Sequence, residues 1–226
     1  MFVVIEIWSD VVCPWCYIGK VRFDRAIEAL TSGPDPVSEP IEVVYRAYQL
    51  DPTAPVGASH SVRDTYAKKF GGYERADRII ENLTATARHD DLDFRMDIAK
   101  RANTLLAHRV LWWAAVTHGN AAQSRVKLAF LDAYFTRGRD VADASTLAEL
   151  AATAIGCAAT DVSTMLAGDI GQGEVREELA RAIGHGITGV PTYVIDGGWA
   201  IPGAQDTDTF ERVIRRAVER RTGPSE

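Results

Sequence analysis

The sequence predicts an α/β protein in which one sheet, built from strands near both ends of the chain, carries a long helical insertion. Three observations predict this fold. Strand-like segments flank a helix at the start of the chain, a strand pair and a helix end it, and residues 61–182 between them show almost no strand signal. The 226 residues suffice for one elaborated domain or two small ones.

The first elements are a strand, a helix and a second strand. Residues 2–8 are rich in Val, Ile and aromatic residues and alternate little, which is typical of a strand covered on both faces. Pro14 can occupy a first helical turn, where no amide donor is needed, and an apolar stripe predicts a helix that ends near Ser32. After the Gly-Pro-Asp-Pro break at 33–36, residues 41–50 return to a strand-like pattern.

The remaining elements are a helical block, a hairpin and a last helix. Leu, Ala, Val and aromatic residues recur at helical spacing in residues 98–118, 121–135 and 145–155. Two short strand candidates, 192–195 and 199–201, are joined by Asp196-Gly197-Gly198, which is a tight-hairpin signal. Residues 206–221 then form an amphipathic helix.

Charge and hydropathy argue against several classes of partner. Lys and Arg number 25 against 31 Asp and Glu, and the net charge of −6 gives no electrostatic reason to expect nucleic acid or an anionic membrane surface. No apolar stretch is long enough to span a membrane. The opening residues have neither the basic start nor the cleavage site of a signal peptide, so we expect a cytoplasmic protein.

Redox chemistry is predicted at Cys13-Pro14-Trp15-Cys16, which follows the first strand and opens the first helix. Because a helix N-terminus favours the thiolate, Cys13 is the expected nucleophile. Cys16 lies one turn on, close enough to form a disulfide and to resolve a mixed disulfide. Trp15 is expected at the rim, where its ring can face a peptide. The alternative, half of a zinc site, lacks a second ligand pair, since Cys157 and five scattered histidines remain, and we predict no metal.

A second motif, Gly186-Ile187-Thr188-Gly189-Val190-Pro191-Thr192, places a proline at the entry of a strand. The strand, the CxxC motif at a helix start and this loop resemble the thioredoxin superfamily, and the helical insertion resembles its DsbA-like branch. A narrower resemblance, to the FrnE-type DsbA oxidoreductases, covers nearly the whole chain. It depends on residues 9–20, Tyr48-Gln49-Leu50-Asp51-Pro52, Asn103-Thr104, Ala107-His108-Arg109 and Gly203-Ala204-Gln205.

The resemblance implies a thioredoxin-like fold with a large all-helical insertion. Residues 1–58 and 183–226 would form a discontinuous thioredoxin-like domain, and residues 59–182 the insertion. It also implies that Pro191 is a cis-proline against the cysteine motif, which leaves the backbone of Val190 free to pair with a substrate strand. From the residues alone, Pro191 is a trans proline at a strand entry, because most X-Pro bonds are trans.

Three further residues have open interpretations. Glu6, in the apolar first strand, resembles the acidic group that relays protons to the resolving cysteine in thioredoxin-like proteins, and it is equally an edge carboxylate that reaches solvent. His108 would stabilise the Cys13 thiolate or line the substrate groove, and otherwise it is a core histidine. Cys157 stands alone and is expected to be a small buried thiol, although a regulatory role stays open.

These observations predict a thiol-disulfide oxidoreductase or isomerase of the DsbA family that acts on protein thiols and disulfides through a redox-active disulfide, without a cofactor. The alternative is a glutathione-dependent isomerase or transferase acting on a small molecule, with glutathione as co-substrate. The hydroxychromene-carboxylate isomerases and kappa-class glutathione transferases resemble this scaffold but typically carry serine where Cys13 stands. A non-catalytic binding module would leave the complete CxxC motif unexplained. The direction of electron flow and the oligomeric state stay open.

Overall fold

The sheet is built from both ends of the chain, as predicted. A computed structural model gives the structure, which is described for residues 2–55 and 60–222. β1 (Val3–Ser9) pairs in parallel with β2 (Ile41–Ala47) and antiparallel with β3 (Thr192–Ile195), and β4 (Trp199–Pro202) completes the order β2-β1-β3-β4. β1 is therefore an inner strand, which explains its nearly continuous apolar sequence.

Helices α1 (Pro14–Ser32) and α9 (Thr207–Thr222) pack together beside the sheet. Phe23 of α1 lies 5.1 Å from Tyr193 of β3 and 5.4 Å from Phe210 of α9, measured between ring centroids. Rings at these separations pack favourably in addition to the area that they bury. Because α1 follows β1 after a short turn, this packing holds the N-terminus of α1 at the carboxyl end of β1.

The predicted helical insertion is present between β2 and β3. Its helices, with the bounds that the structure gives, are α2 (Val62–Phe70), α3 (Tyr73–Arg88), α4 (Leu105–His118), α5 (Asn120–Phe135), α6 (Ala144–Ile155), α7 (Ala159–Ala167) and α8 (Gln172–Gly184). α8 runs two residues beyond the boundary predicted at 182/183, and the boundary predicted at 58/59 lies outside the described residues. Most of the insertion's buried side chains form one core that also takes Tyr17 and Ile18 from α1, so α1 packs on both parts of the molecule.

Side chains of the insertion bind the outer side of β2. Gln123 of α5 accepts the amide hydrogen of Tyr45 at 2.8 Å and donates to the carbonyl oxygen of the same residue at 2.9 Å. Glu178 of α8 accepts the amide hydrogen of Ala47 at 2.9 Å. These hydrogen bonds attach the insertion to the sheet close to the end of β1, where the cysteine motif begins.

The hairpin between β3 and β4 has the turn that its sequence predicts. Asp196 and Gly197 have φ values of 48° and 68°, and the amide of Gly198 donates to the carbonyl oxygen of Ile195 at 3.0 Å. Positive φ at both central residues is the turn that matches the twist of paired strands, and Gly tolerates it best.

Candidate active site

The cysteine motif lies at the junction of β1 and α1. Cys13 is the N-cap residue of α1, and Pro14 is the first helical residue. The carbonyl oxygen of Cys13 accepts the amide hydrogens of Cys16 at 3.0 Å and of Tyr17 at 3.3 Å. Both thiols are free and buried, with Cys13 3% and Cys16 1% exposed, whereas Trp15 between them is 43% exposed. The structure therefore shows the reduced dithiol, and the indole ring of Trp15 lies at the surface beside it.

The loop before β3 lies against the cysteine motif. The Val190–Pro191 peptide bond is cis. The thiol of Cys13 donates a hydrogen bond to the carbonyl oxygen of Val190, with 3.5 Å between Sγ and O. Pro191 also lies close to α1, since a methyl group built on Gly19 would stand 3.2 Å from its Cγ. The two sequence motifs, 177 residues apart, therefore meet in one site.

The pKa values of the two thiols are shifted in opposite directions. Burial raises the pKa of the Cys13 thiol, and the hydrogen bond and negative charge of Cys16 raise it further. Burial alone would also raise the pKa of Cys16, but the hydrogen bond from Cys13 and the positive charge of Lys127 outweigh it, so that pKa is lowered. In this dithiol the interaction between the two thiols therefore favours the negative charge on Cys16, and the charge of Lys127 adds to it. The sequence predicts Cys13, at the helix N-terminus, as the attacking thiol, and that assignment stays a prediction.

The positive charge that lowers the pKa of Cys16 comes from α5 in the helical insertion. Lys127 is 1% exposed, and its Nζ has no hydrogen-bond partner among the described residues. Burial lowers the pKa of Lys127 to about 8, although the negative charges of Cys16 and Asp10 oppose this. Lys127 was not foreseen from the sequence. Its spacing was the available signal, because Lys127 is four residues from both Gln123 and Leu131, which are also buried on α5.

A buried carboxylate, also missed from the sequence, lies under the motif. Asp10 is fully buried and accepts the amide hydrogens of Val11 and Leu50, each at 2.8 Å. His108 Nε2 lies 3.2 Å from Oδ1 of Asp10 and 2.9 Å from the carbonyl oxygen of Tyr48, so we assign it as a donor to both. Burial alone would raise the pKa of Asp10, but the hydrogen bond and charge of His108 outweigh it and hold this pKa below 3.8. His108 is itself 2% exposed, so its ring is enclosed by the protein, and its part in substrate binding stays a prediction.

Glu6 takes part in an ion-pair network on the sheet. Its Oε1 lies 2.7 Å from Nε of Arg46, and Nη1 of Arg46 lies 3.0 Å from Glu178. The side chains of Glu6 and Arg46 are 26% and 25% exposed. Burial disfavours the charged form of Arg46, but its hydrogen bond to Glu6 and the charge of Glu178 outweigh it and raise the pKa of Arg46. This arrangement fits the second interpretation of Glu6, a carboxylate that reaches solvent, and the buried acid beneath the motif is Asp10.

Cys157, in the connection between α6 and α7, is partly exposed, whereas the sequence predicted a buried thiol. The cause is its place in a turn at the surface end of two helices. Partial burial raises its pKa, and the negative charge of Asp161 adds to this, which disfavours the thiolate.

In residues 2–55 and 60–222, no three His, Cys, Asp or Glu side chains are grouped to hold a metal ion. No helix of these ranges is long and apolar enough to cross a membrane.

A cavity of about 570 Å³ opens beside the cysteine motif. Val12 and Pro14 contribute to its wall from the thioredoxin-like part, and apolar side chains of the insertion, such as Phe70, form much of the remainder. Lys68 and Lys69 of α2 also line it. Asp51, Asp64 and Arg101 line it as well, so the cavity combines an apolar interior with charges of both signs, next to the motif's proline.

Comparisons with known proteins agree with this architecture. The chain is 28% identical over 216 residues to the uncharacterized protein YwbO of Bacillus subtilis, covering 95% of this chain and 96% of that one. It is 32% identical to the probable DsbA oxidoreductase SCO1869 of Streptomyces coelicolor, whose crystal structure matches with a TM-score of 0.85 over 99% of this chain and 93% of that one. The cytosolic disulfide reductase DsbM of Pseudomonas aeruginosa, solved with GSH, is 16% identical and shares the fold, with a TM-score of 0.66 over 96% and 99% of the two chains.

The family assignment follows from the extent of the match. The family model described as the DSBA-like thioredoxin domain matches residues 4–215, which include both cysteines, the whole helical insertion and the Val190–Pro191 loop. The two parts of the sheet are thus matched together with the helices between them, and the chain belongs to the family of DSBA-like thioredoxin domains.

Proposed function

We propose that the protein is a thiol-disulfide oxidoreductase that exchanges disulfides with protein substrates through Cys13 and Cys16. One observation carries the proposal, namely two free, buried thiols at the N-terminus of α1, with the thiol of Cys13 against the Val190–Pro191 loop. Such a pair holds a thiolate and a resolving thiol one helical turn apart, which is what disulfide exchange requires. The chemistry uses only sulfur atoms and protons, so it needs neither a metal nor a nucleotide.

In the direction of substrate reduction, Cys13 loses its proton and attacks one sulfur of a substrate disulfide. The substrate S–S bond breaks, a Cys13–substrate disulfide forms, and the second substrate sulfur leaves as a thiolate. Cys16 then loses its proton to solvent and attacks Sγ of Cys13. The Cys13–Cys16 disulfide forms, the substrate leaves as a dithiol after taking up protons, and two electrons have moved to it. Substrate oxidation is the same sequence reversed.

Substrate binding is proposed at the loop that contacts Cys13. The carbonyl oxygen of Val190 lies 3.5 Å from Cys13 Sγ, so a peptide that pairs with this backbone segment would bring its own sulfur to the reacting thiol. Trp15, 43% exposed, would pack on the same peptide. Backbone pairing selects little for side-chain sequence, which suits an enzyme that acts on many proteins. Glutathione and a cytoplasmic location belong to this proposal, supported by the fold shared with the GSH-bound cytosolic reductase DsbM.

Serine substitution of each cysteine tests the proposed roles. We expect Cys13→Ser to abolish reduction of a fluorescently labelled protein disulfide, because no nucleophile remains at the substrate loop. We expect Cys16→Ser to accumulate a Cys13–substrate mixed disulfide, detected by non-reducing electrophoresis and mass spectrometry. Cys157→Ser is the matched control and should retain full activity. Full activity of either of the first two variants would overturn the mechanism.

The cavity beside the motif favours a second candidate function, a glutathione-dependent isomerase or transferase that acts on a small molecule. Its apolar wall would take an apolar substrate, and Lys68 and Lys69 would attract the carboxylates of glutathione. Cys16→Ser separates the two functions. Turnover of a small molecule with glutathione needs one thiol and would survive this change, whereas catalytic disulfide exchange would be lost.

A further inference from the structure

Lys127 is a buried cation without a hydrogen-bond partner in the part of the chain that the structure describes. It is 1% exposed, and no side chain or backbone group there accepts a hydrogen bond from its Nζ. Burial lowers its pKa to about 8, so the ammonium form still predominates near neutral pH. A buried ammonium group is unfavourable unless acceptors replace the water that it loses on folding. The surroundings of Lys127 therefore have to supply an acceptor.

A small void lies beside Lys127, where the helical insertion packs on the outer side of β2. Its volume is about 10 Å³. One water molecule needs roughly 10–15 Å³, so the void has room for one water molecule and for no larger ligand. We call it the β2 void, and its wall consists of Tyr45, Arg46, Ala47, His108, Leu111, Trp112, Gln123, Lys127 and Glu178. One strand and three helices, α4, α5 and α8, therefore surround a site for one small molecule.

Two charged groups in this wall can bind such a molecule. Lys127 supplies donors, because none of the three N–H bonds of its ammonium group is used by the described residues. Glu178 supplies acceptors. Its Oε1 accepts from Nη1 of Arg46 at 3.0 Å and its Oε2 from the amide of Ala47 at 2.9 Å, whereas a carboxylate can accept about four hydrogen bonds. A molecule that both accepts and donates can therefore bind to Lys127 and Glu178 at once.

We propose that the β2 void is a binding site for one ordered water molecule, which accepts a hydrogen bond from Nζ of Lys127 and donates one to the carboxylate of Glu178. The two side chains then form a water-mediated ion pair between α5 and α8. A bridging water is nearly as favourable in enthalpy as a direct hydrogen bond, so it satisfies the buried ammonium group. The inference goes beyond the proposed function and does not depend on it.

Two other kinds of occupant fit the β2 void less well than water. A small anion such as chloride would pair with the ammonium group of Lys127, but it would also lie against the carboxylate of Glu178, and like charges repel. An apolar occupant would leave Nζ without an acceptor. Water is neutral, is small enough for the volume, and both accepts and donates.

The water molecule extends the ion-pair network of the sheet into the helical insertion. Oε1 of Glu6 lies 2.7 Å from Nε of Arg46, and Nη1 of Arg46 lies 3.0 Å from Oε1 of Glu178. With the water, Lys127 becomes the next member of this network, which then joins β1, β2, α8 and α5. The bound water therefore helps to hold α5 and α8 on the outer side of β2.

A high-resolution crystal structure of the wild-type protein tests the site directly. We expect one water molecule within about 2.7–3.2 Å of both Nζ of Lys127 and a carboxylate oxygen of Glu178. Anomalous scattering from a crystal soaked in bromide distinguishes an anion from water. A direct contact between Lys127 and Glu178, a bromide ion at the site, or a void without ordered density would each overturn the proposal.

Oxygen-17 relaxation dispersion of the solvent tests the site in solution, because it counts the water molecules that stay bound for long times. We expect Lys127→Met to lose one long-lived water relative to the wild type, since methionine keeps the length of the side chain but cannot donate a hydrogen bond. Lys20→Met is the matched control and should keep the wild-type count, because Lys20 is also buried but lies 2.7 Å from Oδ2 of Asp24 and 2.9 Å from Oγ of Ser124.

An unchanged count of long-lived waters in Lys127→Met would overturn the proposal. Should that variant not fold, the crystal structure of the wild-type protein decides. Neither measurement uses disulfide exchange as its readout, so failure of this inference leaves the proposed function intact, and failure of the proposed function leaves the water site intact.

Discussion

Replacing Asp10 by asparagine should destabilise the protein without changing the shape of the site. Asp10 accepts amide hydrogens from Val11 and Leu50, each at 2.8 Å, and a hydrogen bond from His108 at 3.2 Å. Asparagine offers one acceptor oxygen and an NH₂ group that cannot accept, so a buried donor loses its partner. That loss costs about 1–3 kcal/mol, and weaker bonding at the uncharged oxygen brings the total to roughly 2–4 kcal/mol.

Urea and thermal unfolding measure the effect of Asp10→Asn. For a chain of this size, roughly 2–4 kcal/mol corresponds to a fall in Tm of about 5–15 °C. Because the pKa of Asp10 is lowered from 3.8, its contribution is present above that pH and is lost as pH falls through the lower folded-state value. The wild type and the variant should therefore differ at neutral pH and converge only in acid. Asp77→Asn, at an exposed ion pair with Arg63, is the control and should leave the midpoint unchanged. Equal stability of Asp10→Asn and the wild type at neutral pH would refute the reasoning.

Two further substitutions test how the site is supported. Gly19→Ala should cost roughly 1–3 kcal/mol, because its methyl group would stand 2.6 Å from Oη of Tyr193, whereas Gly173→Ala in α8 meets nothing within 4 Å and should be neutral or stabilising. Equal urea midpoints of the two alanine variants would contradict this packing. Arg109→Lys should lose roughly 2–4 kcal/mol, since the guanidinium donates to four backbone carbonyls in residues 165–170. Hydrogen exchange should then speed up in that segment, and unchanged exchange would show that the contacts contribute little.

The parts of the fold that were predicted from the sequence are determined by residues that lie close together in the chain. Pro14 is favourable only in a first helical turn, and α1 begins there. Asp196-Gly197 suits a two-residue turn, and β3 and β4 meet at it. The CxxC motif and the Val190–Pro191 loop were recognised because each is a contiguous segment with an unusual composition. That they meet depends on the pairing of β3 with β1, which the sequence implied only through the resemblance.

The parts of the site that the sequence did not reveal have non-local causes. Lys127 is one polar residue on a helix face, and its depth depends on how α5 packs on β2 and α1. Glu6 is a polar residue in an apolar strand, and its partner Arg46 comes from the neighbouring strand, two positions along the register. The charges of Asp10 and Lys127, which act on the pKa values of the two cysteines, were not foreseen, because the helix N-terminus was the only charge that the sequence placed beside them.

The hydrogen bonds between Gln123 and β2 also affect whether the protein associates with other chains through its sheet edge. An outermost strand with free amide and carbonyl groups is a template on which another chain can add its own strand, and such addition leads to aggregation. β2 is outermost in this sheet, and the carboxamide of Gln123 occupies both backbone groups of Tyr45, while Glu178 occupies the amide of Ala47. The helical insertion thus prevents β2 from pairing with a strand of a second copy of the protein. A shortened protein with the insertion cut out would keep the cysteines but present a bare β2, and we expect it to self-associate through that strand.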